Sequence, residues 1–128
     1  MKTIKYLLLN FAFICVAALA NSTQFPEVSL DELTDIVAMK SATIIDANGA
    51  SSYRKGHIPT ALNYAAIKGK LDSMLPKDKA ALIIAYCGGP MCDAWTDAAE
   101  AAQKAGYTNV KHFKDGISGW KKAKMATE

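Results

Sequence analysis

Ala81-Leu82-Ile83-Ile84-Ala85-Tyr86-Cys87-Gly88-Gly89-Pro90-Met91-Cys92-Asp93-Ala94 is the stretch whose reading decides the fold. Leu82 to Tyr86 is a short apolar run with the length and branching of a strand buried on both faces. It ends at Cys87 and passes through Gly88, Gly89 and Pro90, and a helical pattern begins at Asp93. Loop N–H groups and a helix N-terminus can then both point at one sulfur and stabilise it as an anion. The thiolate is the reactive form of cysteine. An arbitrary cysteine at a strand end is more often a small packed apolar group. Here the paired glycines and the helix start shift the balance toward a reactive thiol.

Outward from this stretch the chain alternates helices with short apolar strands. Downstream, Ala94, Ala98, Ala101, Ala102 and Ala105 share one helical face, which lets a helix lie close against a sheet, and Gly106 ends that helix. Tyr107 to Phe113 holds a strand around Val110, and Asp115-Gly116-Ile117-Ser118-Gly119-Trp120 opens a short last helix. Upstream, Ser29 is a good N-cap, Asp31 and Glu32 suit a first helical turn, and Leu30, Leu33, Ile36 and Val37 form an apolar stripe. This predicts a helix over 30–40.

Ala42 to Ile45 reads as a strand ending at Asp46, broken by Asn48-Gly49. Ser51 to Lys55 makes a helical turn, His57-Ile58-Pro59 is extended, and Ala61 to Tyr64 leads into another strand. Ile67, Leu71, Met74 and Leu75 give a helix stopped by Pro76. The pattern predicts an α/β domain with a mainly parallel sheet and helices on both faces. Asp46 and Cys87 both fall at carboxyl ends of strands, where reactive groups gather in such sheets.

Lys2 and Lys5 precede an apolar segment from Tyr6 to Ala20 that finishes in Ala18-Leu19-Ala20. This tripartite pattern predicts a secretory signal peptide over 1–20, cleaved after Ala20, and it is short for a membrane anchor. Bulky Ile14 before Cys15 argues against a lipid-modified cysteine. The expected organisation is a lead-in over 21–27, one domain over 28–124 and a tail over 125–128. The formal charge of +3 includes Lys2 and Lys5, and their removal leaves +1. No basic run carries interleaved aromatics, so nucleic acid is not indicated, and no stable membrane association is expected after processing. Lys121, Lys122 and Lys124 read as a solvated helix end. Once the leader is removed, Cys87 and Cys92 are the cysteines left, in a compartment where disulfides persist.

Five stretches together resemble the rhodanese family of single-domain sulfurtransferases. Ile44-Ile45-Asp46-Ala47 is similar to the first-strand signature. Tyr53-Arg54-Lys55-Gly56-His57-Ile58-Pro59-Thr60-Ala61-Leu62-Asn63 resembles the G-H-I-P-G-A-x-N segment. Tyr86-Cys87 with its loop resembles the active-site loop, and Gly106 to Val110 and Asp115 to Trp120 resemble the closing elements. The resemblance covers about 28–122. It implies a three-layer α/β fold in which Cys87 is the nucleophile, taking sulfane sulfur from a small-molecule donor as a persulfide. A thiol, cyanide or a protein acceptor would then receive the sulfur. The candidate substrate-binding loop is Gly88, Gly89, Pro90, Met91 and Asp93, supported by Asp46, Arg54 and His57.

The sequence departs from the family pattern at three places. Asn48 stands where the family often has Arg, Pro90 where it often has Gly, and Cys92 where the loop commonly has Arg five after the cysteine. Weak thiosulfate turnover is therefore expected, with Arg54 or Lys55 as the remaining sources of charge. A related phosphatase would need a loop Arg to clamp phosphate, and no Arg follows Cys87.

Cys92 has three readings: a packing residue, a resolving thiol for Cys87, or a disulfide partner locking it, and a Cα separation below ~7 Å decides whether a bridge is possible. His57 is read as ordering its loop through a ring hydrogen bond, and Asp46 as binding loop backbone. His57, His112 and the two cysteines do not match metal-ligand spacings, so no metal or other cofactor is expected. Trp95, Trp120 and Met91 read first as packing residues, with a place at the pocket mouth as the alternative for Trp95 and Met91.

The leading reading is an exported sulfurtransferase or sulfur carrier in a bacterial periplasm. A thiol–disulfide redox protein using Cys87 and Cys92 and a non-catalytic binding module are the alternatives.

Overall fold

The structure is a computed structural model that describes residues 25–128. The expected leader, and residues 21–24 of the lead-in, lie outside the described residues.

Ten elements follow in chain order: α1 (Leu30–Met39), β1 (Thr43–Asp46), α2 (Ala50–Lys55), β2 (Leu62–Asn63), α3 (Tyr64–Ile67), α4 (Leu71–Met74), β3 (Ile83–Tyr86), α5 (Trp95–Lys104), β4 (Val110–Phe113) and α6 (Gly116–Lys122). The four strands form one parallel sheet in the order β2-β1-β3-β4. The apolar run at 83–86 is thus a central strand, flanked on both sides and wholly buried. Each isoleucine so buried contributes about 1.5–3 kcal/mol.

Alternation along the strands sends side chains to two cores. Ile45, Ile83, Ala85 and Val110 pack with Ile67, Leu71, Leu75 and the alanines of α5. Ile44, Ile84, Tyr86 and Phe113 pack with Leu33 of α1, Trp120 of α6, and Ile58 and Ala61. The three-layer arrangement expected from the pattern is therefore present, with α3, α4 and α5 on one face and α1 and α6 on the other.

Local chemistry accounts for the helix ends. Ser29 caps α1 with a full capping box: its hydroxyl accepts from the Glu32 N–H at 3.1 Å, and Glu32 accepts from the Ser29 N–H at 2.8 Å. The bond from the Ser29 N–H is the main cause that holds the Glu32 carboxyl below its ordinary pKa. Gly106, at φ +102°, follows the last turn of α5 in a conformation that favours glycine.

Two expectations change. The single helix read over 67–75 is two one-turn helices interrupted at Lys68-Gly69-Lys70, and Met74 is exposed. The helix expected from Asp93 begins at Trp95, so Ala94 precedes it, while Ala98, Ala99 and Ala102 are fully buried against the sheet.

Both flanks of the domain are tied to it. Val28 donates its N–H to His112 O at 2.9 Å and His112 to Pro26 O at 2.9 Å, extending the sheet beyond β4. At the other end His57 and Glu128 exchange backbone hydrogen bonds of 3.0 Å each, and Trp120 Nε1 donates to Ala126 O at 2.8 Å. The segment 125–128, expected as a tail, closes over the His57 loop in this way.

Replacing Ser29 by Ala removes one half of the capping box and is expected to cost about 1 kcal/mol, read as a lower urea midpoint with an unchanged slope.

Candidate active site: the Cys87–Cys92 loop

The site is assembled at the carboxyl ends of β1 and β3, where Asp46 and Tyr86 are register partners. Asp46 is completely buried. A carboxylate there requires donors, and it has two. The Asn48 N–H reaches Oδ1 at 2.7 Å and the Tyr86 hydroxyl reaches Oδ2 at 2.6 Å. The same hydroxyl accepts the Ile58 N–H at 3.0 Å. Burial, and then the bond to Asp46, push the Tyr86 phenol well above its ordinary pKa, so it stays a donor. Asn63 Nδ2 donates to Asn48 O at 2.8 Å, fixing the turn after β1. Asp46 therefore binds loop backbone, in agreement with the sequence reading, and it binds Tyr86 as well.

Beyond Tyr86 the chain enters the loop. Cys87 is only 1% exposed and is bonded to Cys92, with Cα atoms 6.2 Å apart. Cys92 donates its N–H to Gly89 O at 3.0 Å, closing a turn through Pro90 and Met91. From outside, α6 clamps the loop: Ile117 donates to Cys87 O at 2.9 Å and Ser118 to Gly88 O at 3.0 Å.

The approach is close enough to dictate residue type. Gly116 sits at φ +60°, and a Cβ there would lie 2.5 Å from Cys87 O and 2.7 Å from Gly89 N. A Cβ on Gly89 would meet Ser118 Oγ at 2.7 Å, while one on Gly88 would lie 3.6 Å from Asn48 Oδ1. Among the described residues no acceptor takes the N–H groups of Gly88, Gly89, Met91 or Asp93. These amides are available to a bound anion.

The other candidates fall around this loop. Met91 is 98% exposed at its tip. Trp95, the first residue of α5, stacks on His112 with centroids 3.9 Å apart and meets Phe25 edge-on, so it packs as expected. His57 holds its own segment: Nδ1 lies 2.9 Å from Tyr53 O and the ring stacks on Tyr53 at 3.7 Å. Arg54 is exposed on the last turn of α2.

A groove of about 490 Å³ runs from Pro90 along Ser118, Gly119 and Lys122, with Asp115 and Leu30 on its walls. Lys122, read from sequence as part of a solvated helix end, thus lines a groove that starts at the cysteine loop. Among the described residues no group of three or more His, Cys, Asp or Glu side chains is placed to hold a metal ion.

Sequence reasoning missed Tyr86, Gly116 and Ser118 as parts of the site. The adjacency of Tyr86 to Cys87 at a strand end was the available signal for the first. The other two lie in the Asp115–Trp120 stretch that resembles a closing element of the family, but their approach to the cysteine loop is tertiary and spacing does not reveal it.

A sequence model described as the rhodanese-like domain matches residues 29–123. The chain belongs to that family. Among curated proteins it is 30% identical over 96 residues to the uncharacterised protein YibN of Escherichia coli K12, a match covering 73% of this chain and 65% of that protein. It is 34% identical over 88 residues to the HTH-type transcriptional regulator Rv0324 of Mycobacterium tuberculosis, covering 67% of this chain and 37% of that one. The chain thus spans less than two thirds of the length of these relatives.

Among solved structures, the rhodanese-like domain of Alr3790 from Anabaena superposes with a TM-score of 0.66 at 25% identity, covering 82% of this chain and 80% of that one. The human single-domain sulfurtransferase TSTD1 shares the fold, with a TM-score of 0.63 at 21% identity over 77% of this chain and 97% of that one.

Replacing Tyr86 by Phe leaves the Ile58 N–H without its acceptor and Asp46 Oδ2 without its donor, at an expected cost of about 1–3 kcal/mol. Because the folded-state pKa of Tyr86 is raised, its contribution is intact below about pH 10 and is lost as pH rises above that value. Urea unfolding at neutral and alkaline pH should show the wild type losing stability above that pH, with a shallower loss in the Phe variant.

Proposed function

We propose that this protein is an exported sulfurtransferase or sulfur carrier. Cys87 takes sulfane sulfur from a small-molecule donor and hands it to a thiophilic acceptor such as a thiol, cyanide or a protein thiol. The observation that carries this reading is the position of Cys87. It ends the central strand of a rhodanese-like domain, inside a loop whose N–H groups at Gly88, Gly89, Met91 and Asp93 have no acceptor among the described residues.

The chemistry follows from that placement. With the Cys87–Cys92 bond opened, the Cys87 thiolate attacks the outer sulfur of the donor, and the remainder leaves with the bonding pair, as sulfite in the case of thiosulfate. The persulfide is again an anion, and preorganised amide donors around it stabilise it without reorganisation. An acceptor then attacks the outer sulfur and regenerates the Cys87 thiolate. In the bonded state Cys87 has no thiolate to offer, so a reductant is required before the first turnover.

Charge selects against thiosulfate as a strong substrate. Cys92 occupies the loop position where an arginine would fix a dianion, Asn48 stands at a second such position, and exposed Asp93 adds negative charge beside the loop. Lys122, on the groove that begins at Pro90, is the cation closest to hand in that groove. Binding of thiosulfate is therefore weak while the sulfur chemistry is retained. Export rests on the pattern of Lys2, Lys5 and the apolar run to Ala20, and it agrees with a cysteine pair suited to an oxidising bacterial periplasm.

The Cys87–Cys92 bond also favours a second reading, thiol–disulfide exchange without sulfur transfer. Pre-reduced protein assayed for cyanide-dependent thiocyanate formation separates the two. Cys92→Ser, which cannot close the Cys87–Cys92 bond, is expected to turn over slowly with a high KM for thiosulfate, and Cys87→Ser is expected to fall to the uncatalysed background. Activity unchanged in Cys87→Ser would contradict the assignment. A measurable dithiol potential in wild type with no thiocyanate formed by Cys92→Ser would favour the redox reading, and two inert thiols would favour a binding module.

A further inference from the structure

We propose that Cys92 is the resolving thiol of this site, so that the protein discharges a Cys87 persulfide internally and releases the sulfur as sulfide. The inference rests on the persulfide reading above and names the fate of the sulfur.

Its basis is which atom Cys92 reaches. The bond in the structure joins the Cys92 sulfur to Cys87 Sγ, across a Cα separation of 6.2 Å. In a Cys87 persulfide, Sγ is the inner sulfur. A thiol that attacks the outer sulfur merely moves the sulfane atom onward. A thiol that attacks the inner sulfur expels the outer one. Cys92 is therefore placed for expulsion.

The turn holds it there: its N–H is bonded to Gly89 O, and the Cys87 and Gly88 carbonyls that frame the loop are fixed by Ile117 and Ser118. Cys92 is half-buried, and its sulfur is directed at the buried Cys87 while its neighbour Met91 is fully exposed. A nucleophile held on the same turn also has an advantage over any acceptor arriving from solution.

The steps balance. The Cys87 thiolate accepts the sulfane sulfur from the donor, forming one S–S bond as the donor's S–S bond breaks. The Cys92 thiolate then attacks Cys87 Sγ, forming the Cys87–Cys92 bond. The bond to the outer sulfur breaks, and that sulfur leaves with the electron pair as hydrosulfide. The two cysteines are oxidised by two electrons and the sulfane sulfur is reduced by two. An external dithiol reductant resets the pair by exchange, becoming a disulfide itself.

The activity is thus reductive release of sulfide, coupled to a dithiol reductant, and the bonded form is its product state. The loop arginine that would grip an anionic donor is replaced by the residue that empties the site.

The test is a single turnover without any external thiol. Protein reduced, freed of reductant and kept anaerobic is mixed with saturating thiosulfate, and hydrosulfide and intact mass are followed against a control without donor. Wild type is expected to release about one hydrosulfide per chain and to end two hydrogens lighter than its reduced form. Cys92→Ser is expected to release none and to end one sulfur atom heavier, with the added sulfur on the Cys87 peptide. A persulfide equally long-lived in wild type and in Cys92→Ser, with no hydrosulfide from either, would overturn the resolving role and leave the sulfurtransferase reading standing. If Cys92→Ser takes up no sulfur at all, the persulfide reading fails, and the resolving role fails with it.

Discussion

The structure depends on a close approach between two backbones. The N-terminus of α6 lies against the loop after β3, and the carbonyls of Cys87 and Gly88 are held by the N–H groups of Ile117 and Ser118. That approach is possible because Gly116 has no side chain, since any Cβ there would sit inside contact distance of Cys87 O and Gly89 N. With the carbonyls engaged by α6, the loop's own N–H groups at Gly88, Gly89, Met91 and Asp93 are left for something else. A loop with its Cys87 and Gly88 carbonyls engaged and these donors open is suited to an anion, and the chain puts a sulfur in it.

Behind the loop a buried polar chain fixes the strand ends. Asp46 on β1 takes the Tyr86 hydroxyl from β3, and that hydroxyl takes the Ile58 N–H from the segment leading to β2. Three pieces of chain distant in sequence therefore meet at one phenol immediately before Cys87. The segment carrying Ile58 is held in turn by the His57–Glu128 backbone pair, so the last residues contribute to the platform on which the site stands. His57 acts here as a structural residue, bonded and stacked within its own segment.

Much of this was legible in the sequence, for identifiable reasons. The strand at 83–86 announced itself because burial on both faces demands continuous apolar residues, and α1 because Ser29 is a good N-cap, Asp31 and Glu32 suit a first turn, and an apolar stripe follows. The supporting role of Asp46 was readable from its place at a strand end. What escaped was decided by tertiary approach. Gly116 and Ser118 matter through what α6 touches, and Tyr86 through a hydroxyl whose partners lie 40 and 28 residues away. Apolar spacing over 67–75 fitted one helix, but the break at Lys68-Gly69-Lys70 divides it while Ile67, Leu71 and Leu75 still reach the core. The state of Cys92 stayed open because spacing along a loop does not fix a Cα separation.

The loop differs from the pattern its family resemblance implies at the position that matters most for substrate charge. Cys92 replaces a guanidinium with a second sulfur, and the geometry brings that sulfur to Cys87 rather than to solvent. The proposed weak anion binding and the proposed redox step both rest on this one change. The most direct test of this account is peptide mapping by mass spectrometry, with thiol labelling, of protein purified without reductant. The account predicts a linked Cys87–Cys92 peptide that resists labelling until a dithiol is added, after which both residues label together. Free labelling of both cysteines under mildly oxidising conditions would contradict it.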